Sequence, residues 1–89
     1  MLQIIATTRF RRELKRMKKR GKDMQLLKDV VALLEQEKTL PFKNKDHGLS
    51  GNWENFRDCH VTPDWILVYR ISDGWLELAA TGSHSDLGF

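Results

Sequence analysis
One cysteine, Cys59, is all that this 89-residue chain has. It excludes an internal disulfide framework and fits a reducing cytosol, so the expected location is cytoplasmic. No stretch approaches the roughly 20 apolar residues of a membrane span. The apolar start, Leu2 to Ala6, is too short for a secretory signal and has no basic region before it. Repeats and low-complexity segments are also missing. A chain of this length is expected to form one domain, burying about 60–65% of the surface that it exposes unfolded.

Positive charge, by contrast, is concentrated. Residues 9–22 hold Arg9, Arg11, Arg12, Lys15, Arg16, Lys18, Lys19, Arg20 and Lys22 against Glu13 alone, a local charge of +8. The rest of the chain has six basic and eleven acidic groups and stands at −5. A dense basic block on a slightly acidic body points to a polyanion or an acidic protein partner. A solvated helix face is the bland alternative, but the charges spread around most of the helix.

Met1 to Ala6 alternates weakly, with Leu2, Ile4 and Ala6 on one side, and reads as a first strand. Thr7 or Thr8 is a good N-cap for a helix from about Arg9 to Arg20, with Phe10, Leu14 and Met17 as its apolar stripe. Gly21 stops it. Asp23 caps a second helix to about Glu37, with a wider apolar set (Leu26, Leu27, Val30, Val31, Leu33, Leu34), and Pro41 follows it. Lys43 to Gly51 is a polar loop, and Trp53 to His60 reads as a strand. Trp65 to Ile71 is bulky and apolar apart from Arg70, as a strand buried on both faces would be. Ser72-Asp73-Gly74 signals a hairpin into a last strand, Trp75 to Thr81, and a short tail. The predicted fold is α+β, ordered β-α-α-β-β-β, with a helical hairpin on one face of a mostly antiparallel sheet.

His47, His60 and His84 fall in loops or at strand ends, none at a core position. Imidazoles converging on one rim can act as general acid and base, and RNA suits that chemistry without a metal. A base takes the 2′-hydroxyl proton, the oxygen attacks the adjacent phosphate, an acid protonates the leaving 5′-oxygen, and a cation steadies the phosphate. On composition alone, three scattered histidines more often do nothing. Their separations of 13 and 24 residues, beside one cysteine, match no usual zinc spacing. Cys59 points to the face opposite His60 and reads as a small buried filler. Asp64, in Thr62-Pro63-Asp64, is a turn-former or a carboxylate of the site; the two roles are compatible. Trp53, Trp65 and Trp75 could stack bases, although packing is the safer reading of at least two.

Several ordered motifs carry a resemblance. Lys45-Asp46-His47-x-Leu49, Gly51-x-Trp53, Arg57-Asp58-x-His60-Val61-x-Pro63-Asp64-Trp65-Ile66-Leu67-Val68-Tyr69 and Thr81-Gly82-Ser83-His84 resemble the YafQ branch of the RelE/ParE toxin superfamily. The basic helix and Lys22-Asp23-Met24 agree with it. The resemblance implies a RelE-like fold and a ribosome-dependent endoribonuclease that cuts mRNA in the decoding site. It further implies a co-expressed antitoxin, through which alone operator DNA is bound, and no metal or organic cofactor. The family's functional residues fall on His47, His60, His84 and Asp64. On this pattern His84 is the general base, His60 with Asp64 serves for acid and orientation, and His47 supports the phosphate. Trp65 is a candidate base-stacking aromatic, and Phe89 either retains the family's terminal stacking role or is displaced from it by Gly88. Arg9 to Lys22 follows ribosomal RNA or the antitoxin's acidic segment.

The chain departs from the family pattern twice. Where the family reads Arg-Thr-Gly-x-His, this chain has Ala80, removing the cation expected at the scissile phosphate. Such an alanine reads first as an engineered, detoxified form and second as a natural member with weakened cutting. In the tail, Gly88 separates Leu87 from Phe89, where the family runs Leu-Phe. Two other classes compete: a non-catalytic inhibitor on the same fold, as in the gyrase-poisoning branch, and a basic RNA- or ribosome-binding module. A retained set of His47, His60, Asp64 and His84 argues against a pure binder.

Overall fold
Cap and turn chemistry divides the chain near the expected places. In the computed structural model, which describes Met1–Phe89, β1 (Gln3–Ala6) leads into α1 (Thr8–Lys19). Thr7 caps α1, its hydroxyl accepting from the Phe10 N–H at 2.9 Å. Gly21, at φ +82°, ends the helix in a conformation that side-chain-bearing residues rarely adopt, and Asp23 caps α2 (Met24–Glu35). Then follow β2 (His47–Gly48), β3 (Arg57–Thr62), β4 (Trp65–Ser72), β5 (Trp75–Gly82) and α3 (His84–Leu87). Asp73 (φ +53°) and Gly74 (φ +82°) make the two-residue turn whose twist suits the β4–β5 hairpin.

The five strands lie in the order β1-β5-β4-β3-β2, antiparallel except for the parallel pair β1–β5. α1 packs on β5 and α2 on β3. Alternation sorts the central strands onto two faces. Cys59, Trp65, Leu67, Tyr69, Leu76 and Leu78 join Phe10, Met17, Leu27, Val30 and Leu34 beneath the helices. On the opposite face, Ile66, Val68, Ala79 and Ala80 are covered by Leu49, Trp53, Phe56 and Leu87. The double burial expected of β4 therefore holds from Trp65 to Tyr69, and Ile71 remains 40% exposed. No helix is long and apolar enough to cross a membrane.

The α+β order is as expected, with three local differences. The strand expected from Trp53 begins at Arg57, because Gly51 and Asn55 have positive φ and Trp53 sits on a 3-10 turn. Ile4 shares a side with Leu76 but lies on an edge strand and stays exposed, so Leu2 and Ala6 carry the core contact of the N-terminus. The tail closes in one helical turn, α3, set by a capping box in which the Ser83 hydroxyl accepts from the Asp86 N–H and Asp86 accepts from the Ser83 N–H. Glu13, the single acid in the basic block, is buried on α1. It accepts from the Thr81 N–H at 3.2 Å and meets Arg9 at 3.2 Å, tying the helix to the end of β5.

Candidate active site
Strand register brings the expected residues to the sheet face away from the helices. Asp58 stands opposite Val68 and His60 opposite Ile66, so both side chains leave β3 on that face. A register shift between His60 and Thr62 bends the strand just beyond His60, a device that re-aims side chains beside sites. Asn44, itself buried, donates to the His60 carbonyl at 2.6 Å and fixes the backbone there. Burial, chiefly, pushes the His60 imidazole below its ordinary value.

Asp64, in the β3–β4 turn, meets His84 at the start of α3. One carboxylate oxygen accepts both the His84 backbone N–H at 3.1 Å and contacts ring Nδ1 at 2.6 Å. These bonds, the ring contact first, hold the carboxyl below its usual range. An ionised carboxylate can only accept, so Nδ1 carries the proton and Nε2 is left with its lone pair. The Asp64 partner is thus His84, which corrects the expected pairing of Asp64 with His60. The His60 and His84 rings lie edge to face with centroids 5.2 Å apart.

His47 sits on β2 opposite Asp58. Its Nδ1 lies 2.7 Å from the Lys45 carbonyl and 3.1 Å from Asp58 Oδ1. A single N–H serves the shorter contact, and Asp58 Oδ1, buried, has no hydrogen-bond partner. Desolvation accordingly pushes the Asp58 carboxyl up, against the pull of the three histidines. Asp58 is named in the sequence only as part of the Arg57-Asp58-x-His60 motif, with no role of its own. Its i, i+2 spacing from His60 is the signal that places both on one face.

Ala80 lies opposite Val68 and is fully buried, so Asp58, Val68 and Ala80 form one row across β3, β4 and β5. A register shift after Val68 turns both Ala79 and Ala80 to this face. The position at which the resemblance leads one to expect an arginine is therefore part of the site floor. At the rim, Phe89 packs edge-on against Trp53 at 6.4 Å, with Arg9 over the Trp53 ring at 5.2 Å. Phe89 is 41% exposed and its N–H donates to the His84 carbonyl, the backbone turning at Gly88. Trp65 is different. It is fully buried beneath the helices with its indole N–H donated to Thr81, so it presents no face to a base and the expectation of stacking there is corrected. Cys59 is a core filler whose thiol burial pushes up strongly.

The basic block divides. Arg9 and Arg16 face Glu13, and Arg20 forks onto Asp86 with contacts of 2.5 and 3.0 Å. These arginines are exposed but committed to ion pairs within the molecule, whereas Arg11, Arg12, Lys15, Lys18 and Lys19 reach solvent without a carboxylate. Asp86 also accepts from Ser83 and lies against Gly82, where an added Cβ would come within 2.9 Å of its own Cβ. Arg20 and Asp86 thus pin α3, and with it His84, to α1. Asp86→Ala is expected to speed hydrogen exchange at the amides of residues 84–89 by about tenfold or more while β3–β5 keep their protection. Exchange measured by mass spectrometry checks this; unchanged tail protection would show that the fork holds nothing.

Comparison with known proteins decides the family. The model of the YafQ family, described as bacterial toxins of type II toxin–antitoxin systems, matches residues 2–88. The chain belongs to the YafQ toxin family. The mRNA interferase toxin YafQ of Escherichia coli (strain K12) is 43% identical over 79 residues, covering 88% of this chain and 86% of that protein. The E. coli DinJ–YafQ toxin–antitoxin complex superimposes with a TM-score of 0.88 at 39% identity, covering 98% of both chains. A copper-bound mutant toxin from Helicobacter pylori gives 0.94 at 36% identity, covering 98% of this chain and 99% of that one. In this YafQ-family chain no three His, Cys, Asp or Glu side chains gather as metal ligands would.

Proposed function
We propose that this YafQ-family toxin is a ribosome-dependent endoribonuclease that cuts mRNA in the decoding site, weakened by alanine at position 80. The observation that carries the reading is the His84–Asp64 contact facing the His60 ring across 5.2 Å. His84 Nε2, unprotonated, takes the proton of a 2′-hydroxyl, and the freed oxygen attacks the adjacent phosphorus. The P–O5′ bond breaks, His60 in its protonated form supplies the leaving oxygen with a proton, and a 2′,3′-cyclic phosphate remains. Asp64 steadies the imidazolium formed on His84. His47 faces the phosphate from the β2 edge. No cation stands at Ala80 to meet the charge that develops there.

The partner reading follows from the free cations. Between α1 and α2 runs a groove of about 510 Å³ with Leu14, Met24 and Leu27 as its floor and Arg11, Lys15, Lys18 and Lys28 along its rims. An acidic, amphipathic antitoxin segment matches both. In the active state the same cations follow ribosomal RNA, and operator DNA is reached only through the antitoxin.

The test is primer extension on an mRNA translated in a cell-free system, with this chain and with Ala80→Arg. Cuts at fixed codon positions that need ribosomes support the nuclease; translation intact in both samples sinks it and points to the gyrase-poisoning class. A pH profile follows from His60. Its value lies below the ordinary 6.5, so the protonated, acid-competent fraction is already a minority at neutrality. It shrinks about tenfold per unit above that. The acid limb of single-turnover cutting, set by His60, should therefore fall as pH rises through that lowered value, and His60→Gln should flatten it. Asp64, held low, stays ionised throughout and adds no limb of its own.

A further inference from the structure
At the open edge of the sheet, on the far side of His47, lies a cleft of about 570 Å³ to which the mechanism assigns nothing beyond His47 itself. Phe42, Lys45, Asp46, His47 and Arg57 line it. Phe42 is 96% exposed, so its ring contributes nothing to the core, although Leu40 and Asn44 on either side of it are buried. A lone exposed apolar residue is ordinary. This one is held in a fixed relation to the site. Its turn, Phe42–Asn44, is anchored by Asn44 donating to the His60 carbonyl. It ends at Lys45, whose φ of +47° is rare for a residue with a side chain and whose carbonyl lies against the His47 ring. The one acid in the cleft, Asp46, is engaged by Tyr69 and Arg57, while Lys45 has no carboxylate partner.

We propose that this cleft is a second nucleotide subsite, in which a base of single-stranded RNA stacks on Phe42 and its phosphate meets Lys45 and Arg57. The inference rests on the nuclease reading, since a strand that crosses His84, His60 and His47 in turn leaves the site over this edge. A π-face beside the unpaired Lys45, and beside Arg57, which is 47% exposed and meets Asp46 through Nε, is what a nucleotide needs, and stacking on one aromatic ring is worth a measurable factor whatever the base. A protein partner would find the same ring, but it has no call on the flanking positive charge.

The probe is a short fluorescent RNA with 2′-O-methyl groups throughout, which the chain cannot cut, titrated by anisotropy at low salt. Phe42→Ala is expected to weaken binding about tenfold and Phe42→Trp to restore it. Lys45→Ala should lower the salt dependence by about one phosphate contact. Phe42→Ala folds as the parent does, because the side chain packs on nothing; its melting curve checks that. Trp75→Ala, which removes an exposed ring elsewhere, should change nothing. Equal affinity of Phe42→Ala and parent would overturn the subsite and leave the ring to a protein partner. An equal loss in Trp75→Ala would overturn it as non-specific stacking. Binding needs no cutting, so Phe42-dependent affinity without ribosomal cleavage would fell the nuclease reading and keep the subsite.

Discussion
Ala80→Arg is expected to raise ribosome-dependent cutting about 100–1,000-fold, the factor that removal of a transition-state charge donor typically costs. The position makes the gain physically reasonable. Ala80 stands in one row with Val68 and Asp58 on the histidine face, so a long side chain there is directed along the floor of the site. The same row supplies a partner, since Asp58 Oδ1 is buried and unbonded. A guanidinium laid over Val68 would neutralise that carboxyl and leave its remaining N–H groups for a phosphate. Against this stands overpacking, about 1–3 kcal/mol for a large side chain forced into a filled cluster. Ala80→Met separates the two effects, having the bulk without the charge. The expected pattern is a large gain for arginine, a smaller one for lysine and none for methionine, read as cutting rate beside melting temperature. If arginine folds well and gains nothing, phosphate stabilisation at this position is not what the chain lacks.

What the sequence made legible follows from the range of the interactions involved. Helix starts and stops rest on local chemistry (Thr7, Gly21, Asp23) and appear within a residue or two of their expected places. The burial of β4 on both faces could be read from Trp65 to Tyr69 alone. Strand pairing cannot be read in that way: the parallel β1–β5 contact joins Gln3 to Trp75, and nothing local announces it. The site shows the same division. His60, Asp64 and His84 were identifiable by motif, but their pairing was not, because α3 folds back from β5 to bring His84 onto Asp64 across 20 residues. Trp65 illustrates the limit of motif reading. Its ring is consumed by packing and by the bond to Thr81, which only the register of β4 against β5 reveals. The basic block was visible as a sum of charge. Its division between paired arginines and free cations depends on Glu13 and Asp86, two acids whose burial or tail position gave little notice.

His84→Gln is expected to lower cutting about 100–10,000-fold, the range for loss of a positioned general base. The measurement belongs in the Ala80→Arg background, where the parental rate is high enough for the loss to be seen. Glutamine can still donate an N–H to Asp64 and keep α3 in place, but it cannot take a proton at neutral pH. The defect should therefore appear in the chemical step, with ribosome binding and the melting curve unchanged. Asp64→Asn should move the rate in the same direction for a different reason. Its amide can turn a donor toward Nδ1, which favours the tautomer with the proton on Nε2, where the base must be free. An asparagine enzyme rescued at high pH would contradict this, because raising pH does not correct a tautomer. A His84→Gln chain that cuts like its parent would move the base to His60, whose lowered value leaves it neutral and able to serve.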